Sequence, residues 1–210
     1  MTRSIDDQPN KDPLAFIENP ITIDHERIER AIRELLIAMG ENPDRDGLRD
    51  TPARVGRMYE ELLGGTATDP DEHLEVTFDH AHDEMIVLRN IPFFSICEHH
   101  LMPFFGTASV GYIPSEQIVG LSKLARVVDH LSRRLQIQEQ LACAVADTVE
   151  RALSPIGVAV RLEAEHLCMT MRGVKKPGSR MVTTVTRGVF RTNPSTRKEF
   201  FDVTNGPHGS

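Results

Sequence analysis

Apolar residues recur every three to four positions through Ile28, Ile32, Leu35, Leu36 and Met39, and Gly40 follows. This is the spacing of one buried helix face with a glycine stop, and it predicts a helix over residues 24–39. Residues 41–47 (Glu-Asn-Pro-Asp-Arg-Asp-Gly) read as a loop. Thr51 then reads as the cap of a second helix with Pro52 in its first turn. Val55, Met58, Tyr59, Leu62 and Leu63 form its stripe, and Gly64-Gly65 end it. Beyond Thr66 the pattern predicts strands over 73–78, 85–90 and 104–113. Helices are expected over 121–134, with Leu124, Val128, Leu131 and Leu135 as the stripe, and over 138–153. Strands over 158–171 and 181–190 follow, then a short helix after Asn193-Pro194. A helical pair followed by β-β-α-α-β-β predicts an α+β fold with an antiparallel sheet. The free edges of so small a sheet favour pairing with other subunits.

The proline-punctuated, acidic residues 1–20 read as a flexible arm, and 206–210 as a flexible tail. Between them lie the helical pair, 21–65, and a second unit, 66–205. A chain of 210 residues has room for one domain with an extra lobe. With 40% hydrophobic residues and no Trp, aliphatic side chains must fill the core. No apolar run approaches the ~20 residues that span a bilayer, and the first residues lack a signal peptide's apolar stretch. Three cysteines are an odd number, which argues against a disulfide framework and for a reducing, cytoplasmic setting. The net charge of −7 excludes a strongly basic nucleic-acid footprint but not a locally cationic pocket.

Two clusters carry chemistry. Cys97-Glu98-His99-His100 follows Pro92 as a loop, and His166-Leu167-Cys168 lies far downstream. In an extended strand Val158, Val160, Leu162, Ala164, His166 and Cys168 share one face, with His166 and Cys168 about 7 Å apart. Alone, that pair reads as a buried cysteine and a core histidine. Beside Cys97-x-x-His100 it reads as part of a metal site, because thiolates and imidazole suit zinc. Cys97, His100 and Cys168 would leave one coordination position open for water, with His99 and His166 free for proton transfer. In the competing reading one of these imidazoles closes the shell and the zinc is structural. Cys143 reads as an incidental helix cysteine, and His80-Ala81-His82 as surface.

Gly120-Leu121-Ser122-Lys123-Leu124-Ala125-Arg126 opens a helix, and Lys123, Arg126, His130 and Arg133 recur at i, i+3, i+7 and i+10. With the helix N-terminus and the Ser122 hydroxyl they could form a phosphate cradle, though by themselves they read first as a solvated charged face. Arg172 has the parity of the metal face. Gln138-Glu139 reads as a first-turn dipole partner or as a guanine-reading acid.

Taken in order, these segments resemble the zinc-dependent GTP cyclohydrolase I family. The resemblance spans about residues 21–203. It rests on residues 41–54, Cys97-Glu-His-His100, Gly111-Tyr-Ile-Pro114, Gly120-Leu-Ser-Lys123, Gln138-Glu-Gln-Leu141, His166-Leu-Cys168 and Arg172-Gly173. It implies Zn²⁺ on Cys97, His100 and Cys168, and His99 and His166 as the acid/base pair. Ser122, Lys123, Arg126 and Arg172 would surround the ribose triphosphate, with Ser122 counted among the catalytic groups. Gln138 and Glu139 would read guanine. It further implies the tunnelling fold, an oligomeric barrel built as a decamer of two pentamers, and active sites between subunits. The implied reaction converts GTP to formate and 7,8-dihydroneopterin triphosphate, the first step of pterin and tetrahydrofolate synthesis. The arm and Ser179-Arg180-Met181-Val182 depart from the family's usual pattern.

Overall fold

The computed structural model describes residues 23–66, 68–79 and 82–205. The expected arm and tail, and His80-Ala81, lie outside the described residues. Helix α1, His25–Ala38, starts where Asp24 accepts the Arg27 amide, and α2 is Thr51–Leu62. The cap of α2 is Asp50 and not Thr51, and its carboxylate takes Arg54 instead of a backbone amide.

The remaining elements are β1 (Thr77–Asp79), β2 (Ile86–Cys97), β3 (Pro103–Ile113), β4 (Gln117–Val119), α3 (Leu121–Ser132) and β5 (Leu135–Gln136). They continue with α4 (Gln138–Leu153), β6 (Gly157–His166), α5 (Leu167–Thr170), β7 (Met181–Gly188), α6 (Val189–Thr192) and α7 (Pro194–Thr204). The main sheet has the order β5-β2-β3-β6-β7 and is antiparallel except for the short parallel pairing of β5 with β2. Its long strands and the intervening helices give β-β-α-α-β-β, so the chain is α+β. No helix among the described residues is long and apolar enough to cross a membrane.

Three expected boundaries moved. Residues 70–74 form a 3₁₀ turn capped by Asp69, and its Leu74 is buried against α3. The strand there shrinks to β1, which pairs only with β4. β2 runs on through Pro92 to Cys97. Proline is tolerated because β5 reaches only Ile96 and Cys97, so β2 has an open edge at Pro92 and loses no ladder bond. The β6 strand stops at His166, and Leu167–Thr170 turn helical. Its β7 partner ends at Ala164 opposite Met181, and its β3 partner ends one residue past Phe104, so no ladder remains to hold the chain extended.

Helices α3 and α4 cover one face of the sheet. Leu124, Val128, Leu131, Leu141, Val145 and Val149 pack on Val110, Val160 and Leu162, all essentially inaccessible. On the opposite face α6 and α7 bring Phe190 and Phe200 over Ala159. A side chain at Gly111 would stand 2.9 Å from the Phe200 ring, so only glycine admits that ring.

One polar cluster is buried away from the chemistry. His130 faces the Thr68 carbonyl through Nε2 (3.0 Å) and His73 Nε2 through Nδ1 (3.2 Å). Arg134 Nη2, a donor, also stands 3.4 Å from Nε2, but the nearer carbonyl only accepts, which places the proton on Nε2 and leaves Nδ1 to receive the His73 N–H. Burial, then the Arg134 guanidinium and His73, push the His130 imidazole below its ordinary range, against weaker upward pulls from the Thr68 carbonyl and Asp69. The folded state therefore binds fewer protons here than the unfolded chain. The resulting stability is present above the unfolded pKa of about 6.5 and is lost as pH falls below it. The urea midpoint should drop between about pH 7.5 and about pH 5.5, and should drop less in the non-titrating His130→Gln variant. Equal drops in the two proteins would contradict this account.

Candidate metal centre

β3 brings the two clusters together. Its first residues pair with β2 on one side, Pro103 opposite Ile96, and with β6 on the other, Phe104 opposite His166. The ends of β2 and β6 therefore lie two strand spacings apart, about 10 Å. Two short structures reach across that gap. Between β2 and β3 the chain folds tightly: Cys97 N–H donates to Met102 O and Leu101 N–H to Cys97 O, each at 2.9 Å. Leu101 adopts a left-handed backbone with φ +52°. β5 anchors this turn, since Glu98 N–H donates to Gln136 O at 3.1 Å. On the other side α5 bends back over the strand end, and Thr170 Oγ1 donates to His166 O at 3.0 Å.

The sulfurs of Cys97 and Cys168 and a ring nitrogen of His100 all lie within 4.8 Å of one another. Cys97 is buried, Cys168 half-buried and His100 exposed. The expectation that Cys168 follows His166 along one strand face is thus corrected: the helical turn presents it, and the cluster still closes. Burial raises the Cys168 thiol above its ordinary range, and the adjacent Cys97 adds to this, while Arg172 pulls the other way. Two facing thiols resist joint ionisation unless a cation sits between them. Ligand atoms around a tetrahedral zinc lie about 3.3–3.8 Å apart, so this trio need contract by at most about 1.5 Å. Donor chemistry and spacing both fit a soft divalent ion.

Around the trio stand several other predicted groups. His99 Nδ1 is 4.0 Å from Cys97 Sγ, its ring is exposed, and its Nε2 is 3.8 Å from Glu98. Arg172 donates to His100 Nε2 at 2.9 Å, so this arginine does reach the cluster, although the strand parity that suggested it ends at His166. His166 stacks in parallel on the buried Phe104 ring, with centroids 4.7 Å apart and planes at 3°. Burial lowers the His166 imidazole, and the Glu139 carboxylate opposes that shift. Nothing in the sequence flags Phe104; only strand register does.

The cationic stripe divides. Ser122 and Arg126 are exposed and Lys123 half-buried at the start of α3. His130, expected on the same stripe, is instead buried under residues 68–73, and Arg133 donates its Nε to Glu61 O at 3.0 Å. His130 is thereby closed to a phosphate, and Arg133 is engaged by the end of α2. The helix end at Ser132 leads into β5, whose Gln136 pairs with Cys97. Ser122 lies ten residues earlier on that helix, about 15 Å away. Along α3, Ser122 and Lys123 thus lie about two to three turns before the helix end that leads to β5, and Arg126 about a turn and a half.

Gln138 also departs from expectation. It is 1% exposed, and its amide is committed inside the fold, so it presents no edge to a base. Cys143 is half-buried on α4 beside Arg187 and lies outside the trio, in keeping with an incidental role.

Comparison with known proteins agrees with this arrangement. The profile of the GTP cyclohydrolase I family matches residues 28–205. A "GTP cyclohydrolase 1" of Pelotomaculum thermopropionicum is 55% identical over 184 residues, covering 87% of this chain and 98% of that protein. One from Carboxydothermus hydrogenoformans is 54% identical over 178 residues (84% and 93%). Another, from Mycolicibacterium vanbaalenii, is 55% identical over 182 residues (86% and 90%). On a match spanning nearly all of the described residues, the chain belongs to the GTP cyclohydrolase I family.

Proposed function

We propose that this chain is an enzyme that opens the imidazole ring of GTP, releasing formate from C8 and yielding 7,8-dihydroneopterin triphosphate, the first step of pterin and folate synthesis. The observation that carries this reading is the convergence of Cys97, His100 and Cys168 within 4.8 Å, with His99 and His166 at their edge, in a chain of this family.

Cys97, His100 and Cys168 would hold Zn²⁺. Zinc with one open position supplies a water whose pKa falls to about 7, a nucleophile at neutral pH. The protein does the rest. Water adds at C8 as His166, having taken up a proton at its free ring nitrogen, passes that proton to N7, which makes C8 electrophilic. The C8–N9 bond then breaks and leaves a formamide on N7, a second water cleaves the C8–N7 bond and releases formate, and the ribose rearranges to a ketone that closes onto the freed N7 amine with loss of water. His99, exposed beside Cys97, relays protons between the site and solvent. The carboxylate of Glu139 accepts the N–H groups of the guanine edge, and adenine leaves that acceptor unpaired. Ser122, Lys123, Arg126 and Arg172 bind the ribose triphosphate, and this remote binding holds C8 at the reacting centre.

The place of Ser122 and Lys123 at the start of α3, away from the helix end that leads to β5, supports an active site shared between subunits. The cradle of one protomer would complete the metal centre of its neighbour. Such sharing fits a tunnelling-fold barrel of two stacked pentamers working in the cytoplasm, and it gives the open edges of β2 and β7 a partner.

The direct test is incubation with GTP, followed by detection of formate and of a fluorescent pterin after oxidation. Cys168→Ser should lose both zinc and formate release; full turnover without metal would contradict the ligand assignment. His166→Ala should keep its zinc and lose roughly 10²–10⁴-fold in kcat, the usual reach of a proton-transfer group. An unchanged kcat would remove it from that role. Glu139→Ala should reduce the preference for GTP over ATP by roughly tenfold to a hundredfold, the worth of a charged hydrogen bond. An unchanged preference would mean that guanine is read elsewhere.

A further inference from the structure

Gln138 opens α4 yet lies entirely beneath the surface. Its Nε2 lies 3.3 Å from the Leu162 carbonyl, 3.0 Å from the Met181 carbonyl and 3.1 Å from Thr183 Oγ1. These groups belong to adjacent strands, with Leu162 opposite Thr183 in the β6–β7 ladder. Main-chain carbonyls only accept, so the amide group facing them is the NH₂. A flipped amide would set oxygen against two oxygens. Oε1 is thereby turned toward His166, 2.8 Å from its Nε2. An amide oxygen donates nothing, so that imidazole nitrogen must carry the hydrogen, and in a neutral ring the other nitrogen then has none.

We propose that Gln138 is a positioning residue that fixes His166 as the Nε2–H tautomer, leaving the lone pair on Nδ1, and that it does not read the base. The Phe104 stack fixes the plane of the ring, and Gln138 fixes its rotation within that plane. The sheet carbonyls in turn fix Gln138, so strand geometry sets the protonation pattern of a catalytic ring. The proposal rests on His166 exchanging protons with substrate, as above. With this tautomer Nδ1 can take a proton and return it, while Nε2–H stays engaged with an internal acceptor.

The test has two arms. In zinc-loaded wild-type protein with ¹⁵N-labelled histidine, magic-angle-spinning NMR should find His166 protonated at Nε2 and bare at Nδ1; the opposite tautomer overturns the proposal. This arm needs neither a variant nor turnover, so it can fail independently of the hydrolase reading, whose own failure appears as absent formate. In the second arm, Gln138→Met fills similar volume without the acceptor. It should retain zinc, lose the tautomer preference in the spectrum, and lower kcat roughly tenfold to a hundredfold while KM for GTP changes less than about threefold. A raised KM with weakened rejection of ATP and an unchanged kcat would make Gln138 a base reader and overturn the proposal. If the variant does not fold, the wild-type spectrum decides alone.

Discussion

The register of β3 is the constraint on which this protein's chemistry depends. Its opening residues, Pro103 and Phe104, pair with Ile96 on one flank and His166 on the other. That single alignment carries the ends of two segments far apart in sequence to the same end of the sheet. Because side chains alternate with a period of two, a slip of one residue in either pairing would turn the clusters to opposite faces. The hydrophobic layer guards against such a slip. Val110, Val160 and Leu162 are inaccessible under α3 and α4, and a shifted strand would drive them into solvent and pull Arg161 or Glu163 inward.

Given that alignment, local structure does the remaining work. The turn after Cys97 and the helical turn after His166 span the gap between strand ends, and both are held by backbone hydrogen bonds within a few residues. Burial and the nearby Cys97 oppose ionisation of the Cys168 thiol. Metal binding would relieve that opposition, which links the folded geometry to metal affinity. Phe104 and Gln138 belong to the same scheme. Both are core residues by burial, and both touch the one histidine whose orientation matters. Core packing and catalytic geometry are the same set of contacts here.

Much of this was legible in the sequence. Helix α4 occupies the residues its periodicity predicts, and β3 differs by one residue at its start, because both are long and strongly patterned. The trio of metal-ligating types was legible from residue chemistry. What periodicity could not see was where a partner ends. β6 reads as extended through Cys168, but its ladder runs out at His166 and the chain coils. Nor could spacing decide the fate of the cationic stripe. Lys123, Arg126, His130 and Arg133 share helical spacing, yet the 3₁₀ turn that buries His130 and the α2 carbonyl that holds Arg133 come from elsewhere in the chain. Gln138 shows the same limit: the family resemblance implied a base reader, whereas burial between two strands makes it a support for His166.

The account stands most directly on what surrounds the metal. X-ray absorption at the zinc edge of the purified protein should show two sulfurs at about 2.3 Å and two lighter ligands at about 2.0–2.1 Å, one with the multiple scattering of a single imidazole. The remaining light ligand would be water. A third sulfur, or a second imidazole in the shell, would mean that the site is closed by protein, and the hydrolytic reading would fall.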